Sequence, residues 1–156
     1  MSKAFSDANV SYYPLFEANV HVFVGEHHPL ASRSILRLAD LEDYPRYSFE
    51  QGTANSFYYS EEHLSHLPHK KNVRISDRGT LTNLLTNHNG YTLSTGVLST
   101  EMHAGIVSIP LETDAVMQVG YIMHNERKPS SLLLSFIEHL REGIKGNASV
   151  AEYLGS

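Results

Sequence analysis

The sequence contains no cysteine among its 156 residues. Without cysteine the chain can form neither a disulfide framework nor a thiolate metal site, and this composition fits a reducing compartment. No stretch approaches the roughly eighteen consecutive apolar residues needed to span a bilayer, and the first residues lack the apolar run of a signal peptide. We therefore expect a cytoplasmic protein that has no contact with a membrane.

Clustered positive charge is also lacking. The formal net charge is −5, and only Lys70-Lys71 and Arg127-Lys128 are adjacent among the twelve Lys and Arg residues. Nucleic-acid binding requires several clustered cations that neutralise phosphates. This chain is therefore not expected to bind DNA by itself.

Signatures of common enzymes are absent as well. The chain has no G-x-S-x-G motif, no phosphate-binding glycine loop, no H-E-x-x-H motif and no dinucleotide fingerprint. Glu50, Asp77 and several histidines are able to act as acid or base, but such residues are ordinary in any polar cleft. We expect no enzymatic activity and no cofactor.

The histidines are not spaced as metal ligands. His63, His66 and His69 lie three apart, but Pro68 would end a helix before His69, and no cysteine or carboxylate completes a set. His27-His28 precedes a proline in a predicted turn. Both groups of histidines are better interpreted as solvent-exposed side chains than as metal ligands, so no metal site is expected.

The composition that remains is that of a globular protein, with 41% hydrophobic and 19% charged residues. Residues 20–26 have β-branched and apolar residues on both faces, which predicts a strand buried on both sides. Strands alternating with helices predict an α/β sandwich with a largely parallel sheet. Residues 147–156 follow the last predicted helix and are expected to form a loosely held tail. The other predicted strands are 47–51, 72–77, 89–96, 104–111 and 117–125, and the predicted helices are 55–66, 78–88 and 129–146.

The last predicted helix has the clearest start and stop signals. Pro129 and the two serines after it start the helix, and Gly146 ends it. Its predicted apolar stripe consists of Leu133, Phe136, Ile137, Leu140 and Ile144.

Polar junctions follow three of the predicted strands. After Gln51-Gly52 the chain enters a helix in which residues 53–56 either cap the helix or donate to a ligand. The backbone N–H groups and dipole of a helix N-terminus favour an anion, such as a carboxylate.

Similar junctions lie at 76–83 and 91–99. Because ligands bind at the carboxyl ends of strands in open α/β sheets, the three junctions together predict one polar pocket, although a capped turn explains each one alone.

Several longer stretches resemble one known family. HVFVGEHHPLA, LADLEDYPRYSFEQG, VRISDRGTLTNLLTNHNGYTLSTGVLS and VSIPLETDAVMQVGYIMHN follow the order found in the effector-binding domain of LysR-type transcriptional regulators. The resemblance covers about residues 12–145. The motifs SFEQG, NSFYYSEE and NGYTLSTG are most similar to a Gram-positive subgroup linked to methionine and other amino-acid metabolism.

The resemblance implies a type 2 periplasmic-binding-protein fold, with two α/β lobes, two crossing strands as a hinge and a small effector between the lobes. Residues 28–107 would form the complete second lobe, and about 12–24 and 108–145 would belong to the first. The winged helix-turn-helix domain and the opening part of the first lobe are expected to be absent, so DNA would be bound only through that missing domain. Uncovered apolar surface would then lead the chain to form a homo-oligomer.

The resemblance also implies a set of effector-binding residues. The loop at Gln51 would face the cleft, where Glu50 and Gln51 would select polar groups and the following helix would receive an anionic end. Asp77 is either a ligand residue or a surface partner of Arg74 or Arg78. The expected effector-binding residues are Glu50, Gln51, Gly52, Thr53, Ser56, Thr80, Thr82, Ser94 and Thr95.

The leading interpretation is a non-enzymatic sensor that binds a small metabolite, possibly an amino acid or a related carboxylate. A solute-binding protein of a transporter has a similar fold but would carry a signal peptide or a lipid anchor. An enzyme of a related fold, such as an amino-acid dehydratase, would require a cofactor lysine or a nucleophile in the cleft. The five lysines of the chain do not lie in such a context.

Overall fold

A computed structural model describes residues 9–49, 71–97, 104–147 and 149–153. The chain divides into two compact units, one of residues 19–115 and one of residues 1–18 together with 116–156. The helix predicted at 55–66 and the histidines at 63, 66 and 69 lie outside the described residues.

The described elements include strands and helices of both units. Strands are β1 (Val10–Asn19), β2 (His21–Gly25), β3 (Arg46–Phe49), β4 (Asn72–Ile75), β5 (Thr92–Ser94), β6 (Ile106–Pro110), β7 (Val116–His124) and β8 (Val150–Tyr153). Helices are α1 (Arg78–Asn87) and α2 (Ser131–Ile144), and Leu38–Leu41 forms a 3₁₀ turn.

Strand β2 is the centre of the 19–115 unit. All five of its residues are buried, which confirms the burial predicted from its pattern. It lies between β5 and β6 and pairs antiparallel with both. The predicted largely parallel sheet is therefore wrong, although β3 and β4 do pair in parallel. The chain enters this unit through β2 and leaves it through β6, so two neighbouring strands run in opposite directions.

Helix α1 covers one face of this sheet. Leu85 of α1 forms a buried cluster with Phe23, Tyr47 and Ile75. The alternating pattern of β4 predicts that Val73 and Ile75 both point inward, but 42% of the surface of Val73 is exposed. The short parallel pair β3–β4 thus buries this face of β4 at Ile75 and leaves the same face in solvent at Val73.

The second unit contains β7, β1 and β8 in that order, together with α2. The predicted loose tail is wrong, because β8 pairs antiparallel with β1. Ser130 caps α2 by accepting a hydrogen bond from the backbone N–H of Leu133, as the start signals predicted. Ile137 and Ile144 of the predicted stripe are buried against Leu15, Phe16 and Ala18. Phe136, by contrast, is 61% exposed.

Gly25 sets the distance between α1 and β2. A methyl group on Gly25 would overlap the carbonyl oxygen of Leu85 and lie 3.2 Å from its carbonyl carbon. The obstructing atoms belong to the helix backbone, so no side-chain rotation relieves the overlap. Gly143 of α2 has no atom within 4 Å of the same position.

We predict that Gly25→Ala lowers the free energy of unfolding by about 1–3 kcal/mol, because the added methyl forces α1 away from the sheet. Gly143→Ala is the matched control and should raise it by about 0.5–1 kcal/mol, since alanine restricts the unfolded chain more than glycine does. Urea unfolding monitored by circular dichroism measures both. Equal stability of Gly25→Ala and the parent would show that α1 does not pack on β2 as described.

His28 is buried in the turn after β2, contrary to the solvated state expected from the sequence. Only 5% of its surface is exposed. Its Nδ1 accepts a hydrogen bond from the backbone N–H of Leu30 at 3.1 Å, and its ring lies 4.5 Å from that of Tyr44. A nitrogen that accepts a hydrogen bond is unprotonated, and burial lowers the pKa of His28 below its ordinary value.

This lowered pKa makes stability depend on pH. The unfolded state takes up a proton at a higher pH than the folded state, so stability falls as the pH drops below about 6.5. His28→Asn keeps an acceptor for the Leu30 N–H but does not titrate. Melting temperatures between pH 7.5 and 5.5 should therefore fall less steeply in His28→Asn than in the parent. The exposed control His27→Asn should keep the parent slope, and a parent slope in His28→Asn would contradict the assignment.

Candidate ligand-binding pocket

A cavity of about 90 Å³ lies within the 19–115 unit, beneath α1. It is formed where α1 crosses the face of the sheet that carries Phe23. The described lining residues are Phe23, Phe49, Arg78, Leu81, Thr82, Leu85, Thr92, Leu93, Ser94 and Ile106.

The lining combines residues that are far apart in sequence but regular in spacing. Arg78 and Thr82 are one helical turn apart on α1, as are Leu81 and Leu85, so both pairs face the same side. On the sheet, Thr92 lies directly opposite Phe23. Directly opposed residues of an antiparallel pair share a face, so a β5 residue and a β2 residue meet at the cavity.

The structure brings together two of the expected effector-binding residues. Thr82 and Ser94 both line the cavity. Thr82 Oγ1 also donates a hydrogen bond to the carbonyl oxygen of Arg78 at 3.0 Å. This bond uses the hydroxyl proton of Thr82, so its oxygen is left as an acceptor.

Two other expected residues have local roles. Thr80 donates hydrogen bonds to the carboxylate of Asp77 from its backbone N–H at 2.8 Å and from Oγ1 at 2.7 Å. Thr95 Oγ1 accepts a hydrogen bond from the backbone N–H of Val97 at 3.4 Å. Neither is among the described lining residues. The remaining expected residues, Glu50, Gln51, Gly52, Thr53 and Ser56, lie outside the described residues.

Asp77 is the N-cap of α1. Its hydrogen bonds from the side chain and backbone of Thr80 lower the pKa of this carboxyl group below its ordinary value. The Asp77 carboxylate therefore occupies the N-terminus of α1, where the sequence pattern predicted that a ligand anion could bind.

Thr92 is a lining residue that the sequence reasoning missed. It is 5% exposed and lies two residues before Ser94, on the same face of β5. Its hydroxyl makes no hydrogen bond within the described part of the chain. Its spacing was the available signal: residues two apart in a strand lie on the same face, so a ligand residue predicted at Ser94 also indicates Thr92.

Arg78 is the one charged side chain among the described lining residues. Its guanidinium carbon lies 5.3 Å from the centre of the Phe49 ring. This cation–π contact places a positive charge beside the cavity. The pocket thus has an apolar wall, three hydroxyl groups and a cation.

Metal and membrane sites receive no support in the described ranges. Those ranges contain no group of three or more His, Cys, Asp or Glu side chains placed to hold a metal ion. They also contain no helix that is long and apolar enough to cross a membrane.

Comparison with models of protein families identifies the family of the chain. The model for the LysR substrate-binding domain matches residues 1–145. The chain belongs to this family. The predicted α/β fold of the type 2 periplasmic-binding-protein kind is thereby confirmed, and no curated protein matches the chain.

Solved structures of LysR regulators share the fold at low sequence identity. HinK, a LysR family transcriptional regulator from Pseudomonas aeruginosa, matches with a TM-score of 0.66 and 14% identity over 92% of this chain and 51% of HinK. The chain thus spans about half the length of that regulator. The effector-binding domain of QuiR in complex with shikimate has a TM-score of 0.64 and 15% identity over 89% of this chain and 68% of that domain. The regulatory domain of CcmR from Synechocystis in complex with 2-PG gives 0.62 and 14%, over 94% and 73%.

Proposed function

We propose that the chain is the effector-sensing part of a LysR-family transcriptional regulator and that it binds a small metabolite. The observation that carries this proposal is the cavity beneath α1, which a member of the LysR substrate-binding domain family forms from hydroxyl, apolar and cationic side chains. Pockets with an apolar wall and a few convergent polar groups are typical ligand sites.

The proposal includes the residues that the family resemblance implies. We propose residues 28–107 as the complete second lobe, with about 12–24 and 108–145 in the first. Thr82 and Ser94 would contact the effector directly, whereas Thr80 and Thr95 would act by holding the adjacent turns in place. We also retain Glu50, Gln51, Gly52, Thr53 and Ser56 as effector-binding residues.

The biological setting is likewise proposed. The motif SFEQG supports assignment to the Gram-positive subgroup and to an effector from amino-acid or methionine metabolism. Such a regulator would work in the cytoplasm, without a cofactor and without enzymatic activity, and would bind DNA through its winged helix-turn-helix domain. The alternative, a solute-binding protein of a transporter, shares the fold class but receives less support, because the solved relatives are regulators.

A thermal-shift screen tests the sensor function. We expect one compound among amino acids, their sulfur-containing precursors and small organic acids to raise the melting temperature, because a ligand that binds only the folded state stabilises it. At a hundredfold excess over Kd the gain is about 2.7 kcal/mol, which corresponds to several degrees. Gln51→Ala and Ser94→Ala should reduce the shift.

The control for this screen is Ser135→Ala, an exposed serine on α2 in the other unit. It should keep the parent shift. If no compound raises the melting temperature, or if all three variants respond as the parent does, the proposed site is wrong.

We further propose that the chain forms a homo-oligomer through α2. Leu132 is 80% exposed and Phe136 is 61% exposed. The two side chains are one helical turn apart, so they form a continuous apolar strip. Exposed apolar strips of this kind favour association.

Light scattering should give a mass of at least twice the 17.5 kDa of one chain. Leu132→Glu combined with Phe136→Glu should shift the mass toward that of the monomer, because the charges would be buried in the interface. Val73→Glu changes an exposed apolar residue of the other unit and should leave the mass unchanged. A monomeric parent at all concentrations would contradict the proposal.

A further inference from the structure

We propose that Asn89 is a site of spontaneous covalent modification, at which the side-chain carboxamide is converted to a carboxylate through a cyclic imide. Asn89 is followed by Gly90 in the connection between α1 and β5. This is the single Asn-Gly pair of the sequence. The proposal concerns the chemistry of the chain itself and holds whatever ligand the cavity binds.

The reaction is redox-neutral and needs only water as co-reactant. The backbone nitrogen of Gly90 attacks the side-chain carbonyl carbon of Asn89, so that a new C–N bond forms and the Cγ–Nδ2 bond breaks. The proton lost by the Gly90 nitrogen leaves with Nδ2 as ammonia. Water then opens the imide at one of its two carbonyl carbons. One product is an aspartate with the ordinary backbone. The other is an isoaspartate, whose backbone runs through the former side chain and is longer by one carbon.

The backbone N–H of Gly90 is available for this attack. It makes no hydrogen bond with the described residues, whereas the next N–H along the chain, that of Tyr91, donates to the carbonyl oxygen of Pro45 at 3.0 Å. A nitrogen held in a helix or a sheet has to give up its hydrogen bond before it reacts. Glycine also has no Cβ that hinders closure of the imide ring.

The side chain of Asn89 is equally accessible. Asn89 is exposed in the bend after α1, and its carboxamide makes no hydrogen bond with the described residues. Asn87 is also exposed, but its Nδ2 donates to the carbonyl oxygen of Asn83 at 2.9 Å. The N–H that follows Asn87, that of His88, donates to the carbonyl oxygen of Leu84 at 2.9 Å. The same short segment therefore carries one asparagine that is free to react and one that is restrained.

The fold requires glycine at position 90, so the reactive pair is part of the structure. A methyl group on Gly90 would overlap the ring and hydroxyl of Tyr47. Tyr47 is 4% exposed and belongs to the buried cluster around Leu85. A larger residue at position 90 would therefore displace a core side chain. The reaction can be blocked without damage to the core only at Asn89.

The isoaspartate product would disturb the walls of the cavity. Residues 88–91 connect α1, which supplies Leu85 to the lining, with β5, which supplies Thr92. The hydrogen bond from Tyr91 to Pro45 fixes the β5 end of this connection. The extra backbone carbon is therefore taken up at the α1 end, where it moves the helix relative to β5. The aspartate product keeps the ordinary backbone, and its charge lies at an exposed position.

Peptide mapping of the aged protein tests the site. The folded chain is incubated at mildly alkaline pH and cleaved with chymotrypsin, which releases residues 86–91 with both Asn87 and Asn89. Tandem mass spectrometry then locates the replacement of NH₂ by OH. We expect conversion at Asn89, none at Asn87 over the same time, and methylation of the product by an isoaspartyl methyltransferase. Asn89→Gln should remain unconverted, because its longer side chain would have to close a six-membered ring.

A parallel incubation in urea separates the contribution of the fold from that of the sequence. The unfolded chain exposes every Asn-Gly pair, so Asn89 should be converted there as well. Conversion in urea without conversion in the folded protein would show that the fold protects Asn89, and it would overturn the proposal. Conversion at Asn87 equal to that at Asn89 in the folded protein would overturn it too.

Melting curves test the effect of the longer backbone. Anion exchange separates the converted protein, which has gained one negative charge, from the parent, and Asn89→Asp supplies the aspartate form with the ordinary backbone. We expect Asn89→Asp to melt at the temperature of the parent and the isoaspartate form to melt lower. Equal melting temperatures of the isoaspartate form and Asn89→Asp would show that the connection absorbs the extra carbon, and would overturn the proposed effect on α1.

Discussion

The close contact between β2 and α1 is the constraint on which the 19–115 unit depends. Gly25 allows the backbone of α1 to approach the strand until the Leu85 carbonyl occupies the space of a side chain. Leu85 can then pack against Phe23 inside the cluster. The same approach places Leu81 and Thr82 over the sheet, so one glycine determines both the core and the depth of the cavity.

Burial of β2 on both faces follows from its central position. Its neighbours β5 and β6 hydrogen-bond to its two edges, and α1 covers one face. A strand with no solvent-facing side needs apolar residues in succession, and residues 20–24 have this pattern except at His21, which is also buried. Polar side chains that project from this sheet therefore lie in an environment where an unpaired hydroxyl is unfavourable, and the buried hydroxyl of Ser108 on β6 makes no hydrogen bond within the described residues.

Periodicity in the sequence predicted which segments are buried but not how they pair. The strand at β2 and the helices at α1 and α2 were recognisable because their apolar residues recur with periods of two and about 3.6. Strand direction leaves no such periodic signal, so the antiparallel pairing of β2 with β5 and β6 was not predictable in this way. The strand β8 was missed because residues 147–156 alternate weakly and include no long apolar run, whereas its pairing with β1 is a long-range contact.

The residues of the candidate site were likewise predicted only in part. Thr82 and Ser94 lie in the polar junctions at 76–83 and 91–99, were implied by the family resemblance, and both line the cavity. The same resemblance also implied Thr80, which the structure places in a capping contact with Asp77. Composition at a junction does not distinguish a hydroxyl that faces a cavity from one that caps a helix. Phe23 and Ile106 were not found, because only the three-dimensional packing brings them to the pocket.

The position of the cavity bears on how a ligand would act. Phe23 belongs to β2 and Ile106 to β6, the strands through which the chain enters and leaves the 19–115 unit. A ligand shifts a conformational equilibrium only by the difference in its affinity for the two states. A ligand that contacts both strands is sensitive to their relative position as well as to the placement of α1. A ligand bound at this cavity would therefore contact two strands that are hydrogen-bonded to each other, so a change in their relative position would alter its affinity.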